Sequence, residues 1–345
     1  MTDNPRNWRE RMAPVKSIAI VTPTYAPDYG VCADLHKSVL RFADNSIVHY
    51  LIVPPADVEL FKSLRGPRCI VLAANEFLPK RMIWVSPRVN HVVRLILGGG
   101  PSANLVALNP TRPFPPVRGW IMQQILKLAA ATRLDADILL LVDSDVQFVR
   151  PITSDTLVQN GRLRLYRRDG TVGEHLPGHV AWHRIARELL GLPAPKLPLP
   201  DYVSALNVWD RRVVLALLER IERTTCRHWI NVLGAQLTFS EHILYGVFVD
   251  EVLGPSANTF VTSSLCHSYW DTIPLDEASA AMFLRSLSAD DVAILIQSKS
   301  GTPLEIRRSA FARFMASAPE WQNEHALGDN GNERPHASSV YPPPW

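Results

Sequence analysis

Hydrophobic positions in this chain follow two rhythms. Lys16–Thr22 (KSIAIVT), His49–Val53 (HYLIV) and Arg68–Leu72 (RCIVL) are short apolar runs rich in β-branched residues, and they read as buried strands. Between them, Ala33–Phe42 and Ala56–Leu64 carry the spacing of helices. Strands of this kind separated by helices predict an α/β protein with a mostly parallel central sheet flanked by helices.

The pattern loosens from Phe77 to Pro116, where a GGGP break at Gly98–Pro101 and a PFPP cluster mark loops. It tightens again at Gly119–Leu134, a predicted helix with Ile121, Ile125, Leu128 and Ala129 on one face and Gln123, Gln124 and Lys127 together on another. A strand, ADILLLVDSDVQF, follows over Ala136–Phe148. Beyond Arg150 longer helices dominate, among them His183–Leu190, closed by Gly191 and Pro193, and Arg211–Thr224. We divide the chain into a polar leader (1–15), a sheet-bearing half (16–150), a helix-rich half of the same domain (151–317) and a polar, proline-rich, disordered tail (318–345).

Composition narrows the classes. With 345 residues, 47% of them hydrophobic, the chain can bury a full core. Its 36 basic and 33 acidic residues leave a formal charge of only +3, so no nucleic-acid footprint is expected. The amino-terminal residues are polar where a secretory signal needs an apolar segment, and no run reaches the ~18 apolar residues of a membrane span; a cytoplasmic home is expected. Cys32, Cys69, Cys226 and Cys266 form no CxxC pair, which argues against a zinc knuckle or a disulfide framework. His175, His179 and His183 recur at spacing four, but Pro177 and Gly178 interrupt the helix that would align them on zinc.

The chemistry concentrates at Asp143 and Asp145. Residues i and i+2 of an extended chain share a side, so both acids can aim at one point beyond the strand's carboxyl end. Two like charges there repel unless a cation sits between them. Oxygen ligands favour a hard ion, Mn²⁺ or Mg²⁺, with positions left for phosphate oxygens. The plain alternative is a turn or cap residue beside a solvated acid. Two enzyme classes use such a strand end. Haloacid-dehalogenase-like phosphatases place the motif on the first strand with Thr or Val two residues after the second Asp; here at least three strands precede it and Gln147 stands at that position. Nucleotide-sugar glycosyltransferases place it after a nucleotide-binding half, as here.

TPTYAPDY (22–29), VRGWIMQQILKLAAA (117–131), LLLVDSDVQFVRP (139–151), SEHILYG (240–246) and CHSYW (266–270) occur in an order that resembles a bacterial family of GT-A-type glycosyltransferases otherwise labelled only as a domain of unknown function. The resemblance runs from about Ser17 to Arg308. It implies a GT-A fold, a nucleoside-diphosphate-sugar donor and a carbohydrate or other hydroxylated acceptor. It also implies a metal on Asp143, Asp145 and His267, the last of these otherwise readable as a core histidine. Thr22, Tyr25, Asp28, Gln123, Gln124, Lys127, Ser144 and Lys299 become donor contacts, several of them equally readable as solvated loop or helix positions. Glu241 lies between apolar segments and is the candidate base of an inverting reaction, its pKa raised by burial; in a retaining reaction it would only orient the acceptor. Asp145 completes the catalytic set. Tyr202, Trp209, Trp229 and Trp270 could present flat faces to a sugar, as they could equally fill a core, while Asp201 and Asp210 read as turn or cap residues. The expected function is metal-dependent glycosyl transfer; the alternatives are a non-catalytic nucleotide- or glycan-binding protein and a phosphatase of the dehalogenase type.

Overall fold

A computed structural model describes residues 17–96, 105–110 and 112–325. The leader and residues 326–345 lie outside them. The chain opens with β1 (Ile18–Pro23), α1 (Tyr29–Phe42), β2 (Val48–Val53), a short α2 (Val58–Phe61) within 3₁₀ turns, and β3 (Cys69–Ala73). A small antiparallel sheet of β4 (Ile83–Trp84), β5 (Leu105–Asn109) and β6 (Arg112–Arg118), with α3 (Pro87–Ile96) between its first two strands, fills the irregular middle. Then come α4 (Gly119–Arg133), β7 (Ile138–Val142) and β8 (Val146–Phe148).

The second half contains α5 (Ser154–Leu157), β9 (Val158–Gln159), β10 (Arg162–Tyr166), β11 (Arg168–Val172), α6 (Pro177–Leu190), β12 (Leu199–Asp201), β13 (Leu206–Asp210) and α7 (Arg211–Thr225). It ends with α8 (Trp229–Leu233), α9 (Glu241–Val247), β14 (Thr259–Thr262), β15 (Cys266–Tyr269), α10 (Glu277–Arg285), β16 (Ala293–Ile296) and α11 (Leu304–His325). The last helix runs past residue 317 into the stretch read as tail.

The central sheet has the order β13-β7-β1-β2-β3, parallel except for β13 at its edge. Its middle strands are buried on both faces, which is why their sequences lack alternation. Ala19, Val21, Leu139 and Leu141 join the core beneath α4 and α7, whereas Ile20, Leu140 and Val142 join the core beneath α1. Each fully buried Leu or Ile contributes roughly 1.5–3 kcal/mol. Helix α6 starts at Pro177, where a missing N–H costs nothing, and ends at Gly191 with φ of 68°. It therefore does carry His179 and His183 one turn apart, but His179 faces Asp201 at 3.3 Å and His183 meets the Pro200 carbonyl at 2.8 Å. Both anchor α6 to β12.

The predicted strand Ala136–Phe148 is two strands. β7 ends at Val142, Asp143–Asp145 form a turn in which the Val146 N–H reaches the Asp143 carbonyl at 3.2 Å, and β8 leaves for a second sheet of order β15-β16-β8. The two acids are thus presented by a turn rather than by an extended chain.

Candidate active site

After β1 the chain moves outward through β2 and β3, then returns to the other side of β1 with β7. The order reverses between β1 and β7, and the crevice beyond their carboxyl ends is where open α/β sheets bind ligands. The register pairs Val21 with Leu141, so the two strands finish level. Beyond β1 the loop leads through Tyr25 to Asp28; beyond β7 lies Asp143-Ser144-Asp145.

These two segments touch. The Ser144 hydroxyl donates to Asp28 Oδ2 at 3.1 Å. A third segment arrives because β16 runs antiparallel to β8, with Leu295 opposite Val146, and carries the chain on to Ser298. The Ser298 N–H and hydroxyl donate to Asp145 Oδ2 at 2.6 and 3.0 Å. Burial, with Asp143 nearby, pushes the Asp145 carboxyl up to about 6. Burial also raises Asp28, against the hydrogen bonds from Ser144 and Ser298. Among the described residues neither acid has an ion pair. Arg307 is close enough to be felt by both, but its guanidinium donates to the carbonyls of Ile296, Gln297 and Thr302. Buried oxygen donors that ionise reluctantly, with no ion-paired neighbour among the described residues, are what a hard divalent cation fits.

Asp143 has such a neighbour. Lys127, buried on α4, lies 2.9 Å from Asp143 Oδ1 and 2.9 Å from Glu241 Oε1. Burial alone would lower its pKa; Asp143 and Glu241 reverse that and raise it. Gln124, one turn earlier, accepts the Glu241 N–H at 3.0 Å, and Ser240 caps α9 by accepting from the Ile243 N–H. The polar face of α4 therefore points inward. Gln123 on the same helix is half-buried.

Several expectations change. Burial opposes ionisation of Glu241, yet His242 and Lys127 overturn it, and the carboxyl sits below its usual range rather than above it. His242 is itself pushed down to about 4 by burial, so Lys127 is the cation beside Glu241 at neutral pH. Thr22 is fully buried and its hydroxyl meets His49 Nε2 at 3.1 Å, inside the fold rather than at the crevice. His267 is not brought to the acids: Nε2 meets the Ser286 hydroxyl at 2.9 Å and the ring stacks on Phe283. Alternation along β15 explains this, because its neighbour Cys266 is the residue that feels Asp143 and Asp145. Lys299 is exposed beside Ser298, and Tyr25 is 47% exposed at the start of the loop to Asp28.

Tyr202, Trp209 and Trp229 are buried, at 2%, 1% and 6% exposure, so they fill core; Trp270 is half-buried. Asp210 caps α7 through the Arg212 N–H, as expected. Ser298, Arg307 and His242 escaped the sequence reading. Ser298 lies beside the flagged Lys299, but nothing local marks an arginine on α11 as interior.

Fold and cluster together define the class: an α/β protein whose acidic side chains gather at the switch point of a parallel-rich sheet. The chain belongs to the family of unknown function DUF6492, which it matches over residues 14–253. CHSYW lies beyond that match. No match to a curated protein is found. Among solved structures, apo mouse xyloside xylosyltransferase 1 is 11% identical with a TM-score of 0.41, over 83% of this chain and 99% of its own. An active-site mutant of LgtC gives 13% and 0.42, over 87% and 95%. The galactosyltransferase LgtC with donor and acceptor sugar analogs gives 10% and 0.40, over 89% and 99%. No helix among the described residues is long and apolar enough to cross a membrane.

Proposed function

We propose that this protein is a metal-dependent glycosyltransferase that moves a sugar from a nucleoside-diphosphate-sugar donor to a hydroxylated acceptor, in the cytoplasm. One observation carries the reading: Asp28, Asp143 and Asp145 converge at the switch point, and two of them are raised by burial with no ion pair among the described residues. Asp143 and Asp145 would hold Mn²⁺ or Mg²⁺, which when bound offsets the charge that develops on a departing diphosphate.

The other assignments follow from what each side chain touches. Ser298 fixes the Asp145 carboxylate and Ser144 fixes Asp28. Tyr25, half exposed at the crevice, offers a face to a nucleobase, and Lys299 a charge to the diphosphate. Lys127 holds Asp143 in place and supplies positive charge from behind. Glu241, with a lowered pKa, serves as a positioning residue for Lys127 rather than as a base.

The test is calorimetric titration of UDP and of GDP into the wild type and Asp145→Ala, with Mn²⁺ and with chelator. Manganese-dependent binding of one nucleotide, lost in the variant, is expected. Binding that is indifferent to both metal and Asp145 would overturn the donor-site reading.

A further inference from the structure

A second constellation lies in the interior, on the α1 side of the sheet and apart from the carboxylates. His36 comes from α1, His49 from β2 and Cys69 from β3, with exposures of 6%, 0% and 2%. His49 and Cys69 are direct register partners on adjacent parallel strands, so both side chains emerge on one face. Helix α1 lays His36 over them.

Their ligand atoms all fall within 4.8 Å of one another, and His36 Nδ1 is 3.2 Å from His49 Nδ1. A tetrahedral ion at ~2.0–2.1 Å from nitrogen and ~2.3 Å from sulfur keeps its ligand atoms about 3.3–3.6 Å apart. The imidazole pair is already near that spacing, and closing the rest takes side-chain movements of about an ångström. The other nitrogen of His49 meets Thr22 Oγ1 at 3.1 Å. A ring N–H donated there leaves the Nδ1 lone pair facing His36, the outer-shell arrangement that orients a ligating histidine.

We propose that His36, His49 and Cys69 form a buried N₂S site for a borderline-soft divalent ion, zinc above all, which clamps α1, β2 and β3 together. The donor set is unlike the all-oxygen cluster at the crevice, and the inference does not rest on the glycosyltransferase reading. Burial holds both imidazoles in the neutral, ligating form, with His49 pushed down to about 3 and His36 also lowered. Burial likewise pushes the Cys69 thiol up to about 11, so binding releases its proton to solvent as the metal–thiolate bond forms. Through Thr22 the clamp reaches the end of β1, from which the loop to Asp28 departs.

Cobalt is the probe, because a thiolate–cobalt charge-transfer band reports cysteine ligation that the carboxylate cluster cannot give. Metal-free full-length protein titrated with Co²⁺ is expected to take up one equivalent with that band and tetrahedral visible absorption, both displaced by Zn²⁺. Asp145→Ala should retain the band; Cys69→Ser should lose it while keeping the wild-type circular dichroism. Absence of the band in the wild type, which needs no variant to fold, overturns the proposal and leaves a hydrogen-bonded histidine pair. Persistence of the band in Cys69→Ser, with loss in Cys32→Ser, also overturns it.

Discussion

Lys127→Met tests the electrostatic architecture most directly. The wild-type ammonium is 6% exposed and lies 2.9 Å from each of two carboxylates, of which Glu241 is 5% exposed and Asp143 is 27% exposed. Methionine keeps the volume and removes the charge. Asp143 retains partial access to water, so its share of the loss is screened. Glu241 has almost none, and at pH 7.5 it must either stay charged in the interior or take up a proton. Removing one partner of a buried pair costs about 3–5 kcal/mol, and most of that belongs to Glu241. Urea unfolding followed by tryptophan emission, in chelator so that no cation replaces the ammonium, measures it. Lys127→Met combined with Glu241→Gln should recover more than half of the loss, because the amide needs no counter-charge. A single variant within about 1 kcal/mol of wild type, or a double variant no more stable than the single, would refute the reasoning.

Three further outcomes follow. Gly246→Ala should lower stability by about 1–3 kcal/mol in the same unfolding assay, since a Cβ there would lie 2.2 Å from the Tyr202 ring; an unchanged midpoint would contradict the packing. Burial lowers His183 to about 4 in the folded state against ~6.5 unfolded, so the unfolded chain binds the extra proton between those values. Stability from this residue is therefore complete above about pH 6.5 and is lost as pH falls through 4, and His183→Asn should flatten the slope of unfolding free energy between pH 6.5 and 4. Ser298→Ala removes the hydroxyl bond to Asp145 but keeps the backbone one, so manganese-dependent nucleotide affinity should weaken by about three- to tenfold, read by calorimetry; no change would detach Ser298 from the site.

Much of the candidate cluster was legible because its parts are local. Asp143 and Asp145 follow an aliphatic strand, Asp28 follows another, and the inward polar face of α4 shows as Gln124 and Lys127 at helical spacing. The residues misplaced were those whose direction depends on partners elsewhere. Thr22 reads as the last residue before a ligand loop, but His49 on the neighbouring strand draws its hydroxyl inward. His267 reads as a metal ligand from the resemblance that CHSYW carries, yet the strand's alternation turns it toward Ser286. Glu241 reads as a carboxyl raised by burial until Lys127, 114 positions earlier in the chain, is seen beside it.

The sequence by itself determined the α/β class, the central strands and their covering helices, since periodicity and β-branching act over a few residues and need no distant partner. It also determined that acids stand at strand ends. Tertiary structure alone decided that Asp28, Asp145 and Ser298 meet, that the aliphatic run breaks into two strands of different sheets, and that His36, His49 and Cys69 share one pocket. Those depend on strand order and register, which bring together residues from 13 to 270 positions apart. A pKa or a ligand set is fixed by what lies within a few ångströms, and only the folded chain sets that.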